Sequence, residues 1–170
     1  MRAGGSHQKG AAFERFACRQ LSLWLSNGAY DDLLWRSTMS GGRATVAFKK
    51  GRESRGTAGD LSPISAAAEK LTDLFVFECK HYRNLQIVGL YMGLKTGINV
   101  HWQEAKEDAR RHKRWPALIA KQNRMPTFML LSWEGIAYFE LKASVIATFH
   151  SIGAHVLWFE SFLQAAKRPA

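Results

Sequence analysis

The sequence contains few cysteines, few acidic side chains and no long apolar run. Its two cysteines, Cys18 and Cys79, are far apart and form no C-x-x-C pair, which argues against a disulfide scaffold and against a zinc site. No apolar run is long enough to span a bilayer, and the first ten residues lack the hydrophobic core of a signal peptide. These absences predict a protein of a reducing compartment, in the cytoplasm and without a membrane partner.

Basic residues outnumber acidic residues in this chain. There are 24 Lys and Arg against 14 Asp and Glu, which gives a net charge of +10. Such an excess predicts a polyanionic partner, with nucleic acid ahead of a membrane surface. Hydrophobic residues make up 46% of the 170 positions, which excludes a disordered chain. Because we find no internal repeat and no long linker, we expect residues 1–170 to form one domain, with a flexible basic loop at about 38–59.

The first predicted element is a helix from about Lys9 to Ser26 that carries Glu14 in its apolar stripe. At 100° per residue the opposite face is polar: Arg15, Arg19, Ser22 and Ser26. A carboxylate in an apolar stripe is costly to bury without a partner. Glu14 is therefore either a functional carboxylate or a solvated first-turn residue favoured by the helix dipole. The helix pattern alone leaves both interpretations open.

Apolar and β-branched segments predict strands along the rest of the chain, at 33–37, 60–65, 74–80, 125–133 and 135–142. In the strand at 74–80, side-chain alternation places Glu78 and Lys80 on the same face. A second helix is predicted over 99–122, bent or broken near Pro116. Residues 154–166 give a final strand or helix. The order of helix, strands, helix and strands predicts an α/β domain with a central mixed sheet and helices on its faces.

Charged residues at four places form an ordered pattern. They lie in "KGAAFER" at 9–15, "WRSTMSGG" at 35–42, "GD" at 59–60 and "ECK" at 78–80. The last two segments resemble the signature of the PD-(D/E)XK nucleases, with Gly59 in place of the usual proline. The first two are similar to the opening helix and the R-S-x-x-S-G segment of the Holliday-junction resolvases of that superfamily. The resemblance implies a restriction-endonuclease-like α/β core.

The resemblance also implies a role for each charged residue. Asp60 and Glu78 would bind Mg²⁺, or Mn²⁺ in its place, together with the main-chain carbonyl of Cys79. Glu14 would contact the metal directly or through water, and Lys80 would serve the attacking water. These residue types suit phosphodiester hydrolysis, because hard oxygen ligands hold Mg²⁺ and the ion polarises the phosphate and lowers the pKa of a bound water. A lysine beside the metal can orient that water and stabilise developing negative charge.

DNA contacts are predicted for side chains outside this catalytic set. The resemblance assigns the scissile phosphate to Ser37 or Ser40. The basic loop and the cluster "RRHKR" would contact the phosphate backbone through Arg43, Lys49, Lys50, Arg110, Arg111, Lys113 and Arg114. Gln103 is a candidate polar helper of the site, and Trp35 or Trp102 could stack on bases.

The favoured interpretation is a Mg²⁺-dependent DNA endonuclease that resembles a Holliday-junction resolvase and acts in DNA recombination or repair. Because resolvases cut two strands symmetrically, a homodimer is expected. The insert between Gly41 and Gly59, which compact resolvases lack, leaves a second possibility, a restriction-like, repair or phage nuclease of duplex DNA. A third is a catalytically silent DNA-binding protein of the same fold. Asp60 alone also fits a turn, and the Glu78–Lys80 pair a strand-end ion pair worth about 0–1 kcal/mol.

Overall fold

The computed structural model describes residues 5–37, 58–92, 94 and 97–169, and it begins with a long helix. Helix α1, Gly5–Leu25, confirms the predicted element and starts earlier than expected. Its apolar face is buried in the main core: Phe13, Ala17, Cys18, Leu21 and Trp24. Strand β1, Leu34–Arg36, follows as predicted.

Ser22 of α1 departs from the predicted polar face and is fully buried. Its hydroxyl donates to the carbonyl of Cys18 at 2.8 Å and accepts from the N–H of Leu34 at 2.9 Å. Helical periodicity does not reveal such a residue, because the bond to Leu34 satisfies a strand that lies twelve positions away in sequence. The two hydrogen bonds join α1 to β1.

A mixed sheet forms the centre of the described part of the chain. Its strands are β3 (Phe75–Tyr82), β4 (Trp115–Gln122), β5 (Phe128–Leu131), β6 (Ala147–Phe149) and β7 (Ala154–Trp158), with β2 (Leu61–Pro63) pairing outside it with β1. The order is β3-β4-β5-β7-β6, with β3 and β4 parallel and the other neighbours antiparallel. The small β1–β2 sheet adjoins β3, where the N–H of Asp60 donates to the carbonyl of Phe77 at 2.8 Å.

Helices lie on both faces of this sheet. Within the described residues they are, after α1, α2 (Ala66–Leu74), α3 (Val88–Tyr91), α4 (Ile98–Arg111), α5 (Trp133–Tyr138) and α6 (Phe159–Ala165), with a 3-10 turn at Lys142–Ser144. Helices α1, α2, α5 and α6 share one core with the inward side chains of β3. Helix α4 packs on the other face through Trp102 and Ala105. The five-stranded mixed sheet between helices is the predicted fold class and is compatible with a restriction-endonuclease-like core.

Two predicted elements are wrong. The helix expected over 99–122 ends at Arg111, and the residues that follow form β4 with Pro116 inside it. Because β4 lies between β3 and β5 and is buried on both faces, its apolar residues do not alternate, and periodicity cannot separate such a strand from a helix. The strand expected at 135–142 is instead the end of α5 and the 3-10 turn. Residues 154–166 contain both predicted alternatives, β7 and then α6.

The loop predicted at 38–59 lies mostly outside the described residues. Its last two residues, Ala58 and Gly59, are buried, and Ala58 packs against Val76 of β3 and Ala109 of α4. This end of the loop is therefore packed on the sheet and not solvated. Of the helices in the described ranges, none combines the length and the apolar character that a membrane crossing requires.

Candidate active site

Asp60 lies at the edge of β3 that does not pair with β4, next to Cys79, the residue between Glu78 and Lys80. The Oδ2 atom of Asp60 accepts a hydrogen bond of 2.8 Å from the N–H of Cys79, and Asp60 is 7% exposed. In a β-strand the N–H and C=O of one residue point to the same edge. The carbonyl of Cys79 is therefore directed to the edge at which Asp60 lies. The structure thus brings together two of the predicted oxygen donors.

Gly59 has the backbone conformation that this approach requires. Its φ is +76°, and a Cβ built there would lie 2.5 Å from the carbonyl oxygen of Phe77. Proline holds φ near −65° and cannot adopt this conformation. The replacement of the usual proline by glycine is thus a requirement of the backbone in this chain, since only glycine lets it pass so close to β3.

Glu78 and Lys80 form an ion pair in the middle of β3. The Nζ of Lys80 is 3.0 Å from Oε2 of Glu78, and the side chains of Glu78 and Lys80 are 15% and 23% exposed. Because β3 continues to Tyr82, the pair does not stand at a strand end. Alternation is as predicted, since Phe77 and Cys79 enter the core beneath α1. The pair occupies the face that α4 covers.

Burial shifts the acid–base properties of this cluster. It raises the pKa of Asp60, and Glu14 adds to the rise, while Lys80 and the N–H of Cys79 oppose it. Burial and the charge of Asp60 raise the pKa of Glu78 to about 7, against the opposing effect of Lys80. For Lys80, burial lowers the pKa, but Glu78 and Asp60 outweigh it, so that the pKa is raised. Two buried carboxyl groups share one lysine, which leaves a deficit of positive charge.

Glu14 lies on α1 beside this cluster and is paired with Arg36. Its Oε2 accepts from Nε and Nη2 of Arg36, each at 2.8 Å, and its side chain is 13% exposed. Because α1 begins at Gly5, Glu14 is not in the first turn, and the solvated first-turn interpretation is wrong. The N–H of Ser37, which follows Arg36, donates to the carbonyl of Asp60 at 2.8 Å. Contacts thus join all four motif segments.

The oxygen donors at this edge are of the kind that a divalent cation takes. In the ranges that the structure describes, no group of three or more His, Cys, Asp or Glu side chains is close enough to hold a metal ion. Asp60, Glu78 and the main-chain carbonyl of Cys79 are nevertheless hard oxygen donors from adjacent positions. Burial is the main cause of the raised pKa values of both carboxyl groups, and repulsion from a neighbouring carboxylate, Glu14 for Asp60 and Asp60 for Glu78, adds to it. The chemistry of this set therefore fits a hard cation.

The predicted DNA-contact residues have different surroundings. Four of them lie outside the described residues: Ser40, Arg43, Lys49 and Lys50. Ser37 is buried, whereas Arg110 and Lys113 are exposed at the end of α4 and just after it. Arg111 makes an ion pair of 2.8 Å within α4. Arg114 is 12% exposed, with its guanidinium 3.6 Å from a carboxylate oxygen of α2.

Among the other candidates, Trp102 is fully buried and donates its indole N–H to the carbonyl of Ile152 at 3.1 Å, which excludes it from base stacking. Trp35 is 53% exposed. Gln103 is exposed on α4 and lines a cleft of about 650 Å³ with Leu90 and neighbouring residues. The structure therefore leaves Trp35 as an accessible aromatic ring near the site.

Three charged residues near the site were not among the candidates: Arg36, Glu104 and Asp108. Arg36 neutralises Glu14. Asp108 adds to the effect of burial on the pKa of Glu78, and Glu104 helps Glu78 to hold up the pKa of Lys80 against burial. The i, i+4 spacing of Glu104 and Asp108 places them on one helix face. Which face meets β3 follows only from the tertiary structure.

Comparison with known proteins identifies the family. The sequence model of the family described as "Phage putative PDDEXK endonuclease" matches residues 5–157, from the start of α1 into β7, and so includes all four motif segments. No curated protein and no solved structure matches the chain. The match confirms the predicted superfamily and endonuclease function, and it implies DNA as the substrate. The chain therefore belongs to the phage PDDEXK endonuclease family of the PD-(D/E)XK superfamily.

Proposed function

We propose that the protein is a Mg²⁺-dependent DNA endonuclease whose active site is the cluster at the edge of β3. The observation that carries the proposal is the convergence of the four motif segments. Arg36 binds Glu14, the N–H of Ser37 binds the carbonyl of Asp60, and Asp60 accepts from the N–H of Cys79. Since Cys79 lies between Glu78 and Lys80 in sequence, these bonds hold every predicted catalytic residue near one point of the sheet edge.

Asp60, Glu78 and the carbonyl of Cys79 are the proposed ligands of Mg²⁺, for which Mn²⁺ would substitute. When bound, the ion would polarise the scissile phosphate and lower the pKa of a water molecule. Glu14 is engaged by Arg36, so we assign it a contact through water and not a direct bond to the metal. Asp60 and Glu78 are buried carboxyl groups that share one lysine, and a divalent cation would compensate their charge. This supports their assignment as metal ligands.

Lys80 acts in this proposal as a cation. Its pKa is raised by Glu78 and Asp60 despite burial, so the ammonium group remains charged at neutral pH. A charged lysine 3.0 Å from Glu78 is suited to orient the attacking water and to stabilise the negative charge that develops on the phosphate. It is poorly suited to accept a proton from that water while both carboxylates remain charged beside it.

We further propose that branched DNA, including four-way junctions, is the preferred substrate of a homodimer. Support comes from residues 9–15 and 35–42, which are similar to segments of the junction resolvases. The pairing of Glu14 with Arg36 joins these two segments beside the catalytic cluster. Symmetrical cleavage of a junction needs two active sites, which a dimer with two-fold symmetry supplies.

Cleavage of a labelled four-way junction, beside a linear duplex of the same sequence, tests the proposal. We expect the wild type to cut the junction faster than the duplex in Mg²⁺ and to cut neither DNA in EDTA. Asp60→Asn and Glu78→Gln should abolish cleavage but leave DNA binding intact or tighter, because each change removes a metal ligand and a negative charge. Glu160→Gln, the same change at an exposed position on α6, should leave cleavage unaltered.

Two results would contradict parts of the proposal. Wild-type cleavage by Asp60→Asn or Glu78→Gln would remove the active-site assignment. Equal cleavage of junction and duplex would contradict the preference for branched DNA. It would leave the endonuclease activity in place.

A further inference from the structure

Two exposed aromatic residues lie near the catalytic cluster. Trp35 in β1 is 53% exposed, and Tyr82 at the end of β3 is 44% exposed. Exposure alone indicates nothing, because single apolar side chains are common on protein surfaces. What distinguishes these two rings is their position relative to Glu78 and Lys80.

Tyr82 lies on the same face of β3 as the catalytic ion pair. It follows Glu78 and Lys80 at intervals of two residues, and side chains two apart share a face. Helix α4 meets this face, where the ring of Tyr82 stacks on His101 with centroids 5.0 Å apart and an angle of 10° between the planes. The stacking fixes the orientation of the Tyr82 ring while the residue remains 44% exposed.

Trp35 lies on the corresponding face of the small sheet. Its neighbours Leu34 and Arg36 are directed toward α1, one into the core and the other to an ion pair with that helix. Trp35 therefore points away from α1. It pairs with Ser62 of β2, two positions after Asp60, so alternation brings Trp35 to the side of β2 that Ser62 occupies.

Both aromatic rings lie near the cluster. Trp35 pairs with Ser62, two positions after Asp60, and Tyr82 lies four residues beyond Glu78, roughly 13 Å along the strand. Stacked bases rise about 3.4 Å per step, so Tyr82 is roughly four steps from Glu78. A DNA strand bound at the cluster can thus extend to both rings.

We propose that Trp35 and Tyr82 stack on unpaired bases near the scissile phosphate. Aromatic rings bind any base, because every base has a π face, and a base paired within a duplex does not present that face to a side chain. The proposal rests on the proposed endonuclease function and narrows its substrate to DNA whose strands separate next to the cut. The net charge of +10 favours contact with the phosphate backbone of the same strand.

The proposal is tested by measuring DNA binding in EDTA, where no cleavage is expected. Two DNAs of equal length are compared, one with a central stretch of unpaired bases and one fully paired. We expect Trp35→Ala and Tyr82→Ala each to weaken binding of the first DNA by about tenfold, with binding of the duplex changed by less than about twofold. Trp35→Phe should retain most of the affinity, because it keeps a ring. Trp133→Ala is the matched control, since Trp133 is also 53% exposed but lies on α5 near His155.

Three results would overturn the stacking proposal: unchanged binding in both alanine variants, equal losses on the two DNAs, or a loss in Trp133→Ala as large as in Trp35→Ala. Thermal melts of each variant exclude a general loss of folding. The endonuclease assignment is judged separately, in Mg²⁺. Wild-type protein that prefers unpaired bases but never cleaves contradicts the endonuclease assignment alone, and wild-type protein that cleaves without this preference contradicts the stacking alone.

Discussion

Lys80 offsets part of the charge of two carboxyl groups whose neutral form burial favours. Its ammonium group is 3.0 Å from Glu78, and its charge opposes the rise in the pKa of Asp60. Two carboxylates against one ammonium group leave an excess of negative charge, which is costly in a buried site. In the proposed function, a divalent cation compensates this excess. Lys80 would then both stabilise the site without metal and act on the phosphate.

We expect Lys80→Ala to slow single-turnover cleavage by at least about a hundredfold, because a contact that stabilises the transition state is lost. DNA binding should change much less than the cleavage rate, since only one charge is removed from a protein of net charge +10. Measurement at saturating enzyme separates the chemical step from binding. Lys142→Ala, an exposed lysine of the 3-10 turn, is the control. A near-normal rate in Lys80→Ala would reduce the Glu78–Lys80 contact to a structural ion pair.

Among helices and strands, the sequence best predicts the amphipathic ones, which have one buried face and one solvated face. Helix α1 has two such faces and was predicted from its periodicity, whereas β3, which is covered on both faces, was predicted from its run of β-forming residues. Strand β4 is buried on both faces and has no period to detect, and Ile136 of α5 is apolar in a helix too short to repeat. A short helix such as α5 is therefore determined by tertiary packing more than by its local sequence pattern.

In the candidate site, the sequence reveals the unusual residues but not the residues with which they pair. Glu14 was visible in the sequence as a carboxylate in an apolar stripe, and Glu78 as a charge within a core strand. The partner of Glu14 was not, because Arg36 reaches it only after β1 folds onto α1. Long-range pairs of this kind depend on the tertiary structure, which a single sequence does not provide. The sequence therefore predicts which residues are unusual and leaves their partners to the fold.

The segment before β2 depends on glycine at position 59. Gly59 and Gly153 both have positive φ, +76° and +63°, but only a Cβ at Gly59 would meet the backbone, 2.5 Å from the carbonyl oxygen of Phe77. Both alanine substitutions should cost about 1–2 kcal/mol of stability from the left-handed conformation. Gly59→Ala should cost more, because the clash displaces Asp60 from Cys79, and should lower cleavage at least tenfold.

Chemical denaturation and single-turnover cleavage of the two glycine variants check this prediction. Gly153→Ala should cleave at the wild-type rate, since nothing lies within 4 Å of the added carbon. If Gly59→Ala lost no more stability than Gly153→Ala and cleaved normally, the close approach of this segment to β3 would not matter for the site.

The pair Glu14–Arg36 connects α1 to β1 and should contribute more than a surface ion pair. Its side chains are 13% and 30% exposed, whereas those of the pair Arg19–Asp31 are 65% and 52% exposed. Breaking the first pair by Glu14→Gln should lower the free energy of unfolding by about 1–3 kcal/mol, between the ranges for exposed and buried pairs. The same change should lower cleavage if Glu14 belongs to the active site.

A double-mutant cycle with Glu14→Gln and Arg36→Met measures the coupling energy of this pair. The equivalent cycle with Arg19→Met and Asp31→Asn is the control, and its coupling should not exceed about 0.5 kcal/mol. Additive losses in the first cycle would show that the contact does not stabilise the junction of α1 and β1. A wild-type cleavage rate in Glu14→Gln would remove that residue from the active site and leave Asp60, Glu78 and Lys80.

Over the whole molecule, the surplus of positive charge is not equally available to DNA. Some basic side chains are exposed, such as Arg110 and Lys113, and others are bound within the protein. Arg114 directly follows Lys113, yet it is 12% exposed, lies 3.6 Å from Asp73 and has a buried Nη1 atom without a hydrogen-bond partner. Net charge therefore overstates the number of phosphates that the surface can contact.

This difference predicts opposite results for two neighbouring residues. Lys113→Ala should weaken binding of duplex and branched DNA alike. It should also reduce the slope of log Kd against log salt by about 0.7–0.9, the value for one lost phosphate contact. Arg110→Ala should have the same two effects. Arg114→Ala should instead lower the thermal stability, because it removes a largely buried side chain that lies close to Asp73 of α2, and should leave the salt slope of the folded protein unchanged. Titrations over a range of salt concentrations, with melts of each variant, measure both quantities. A reduced salt slope in Arg114→Ala, or an unchanged one in Lys113→Ala, would contradict this division between DNA-contacting and structural cations.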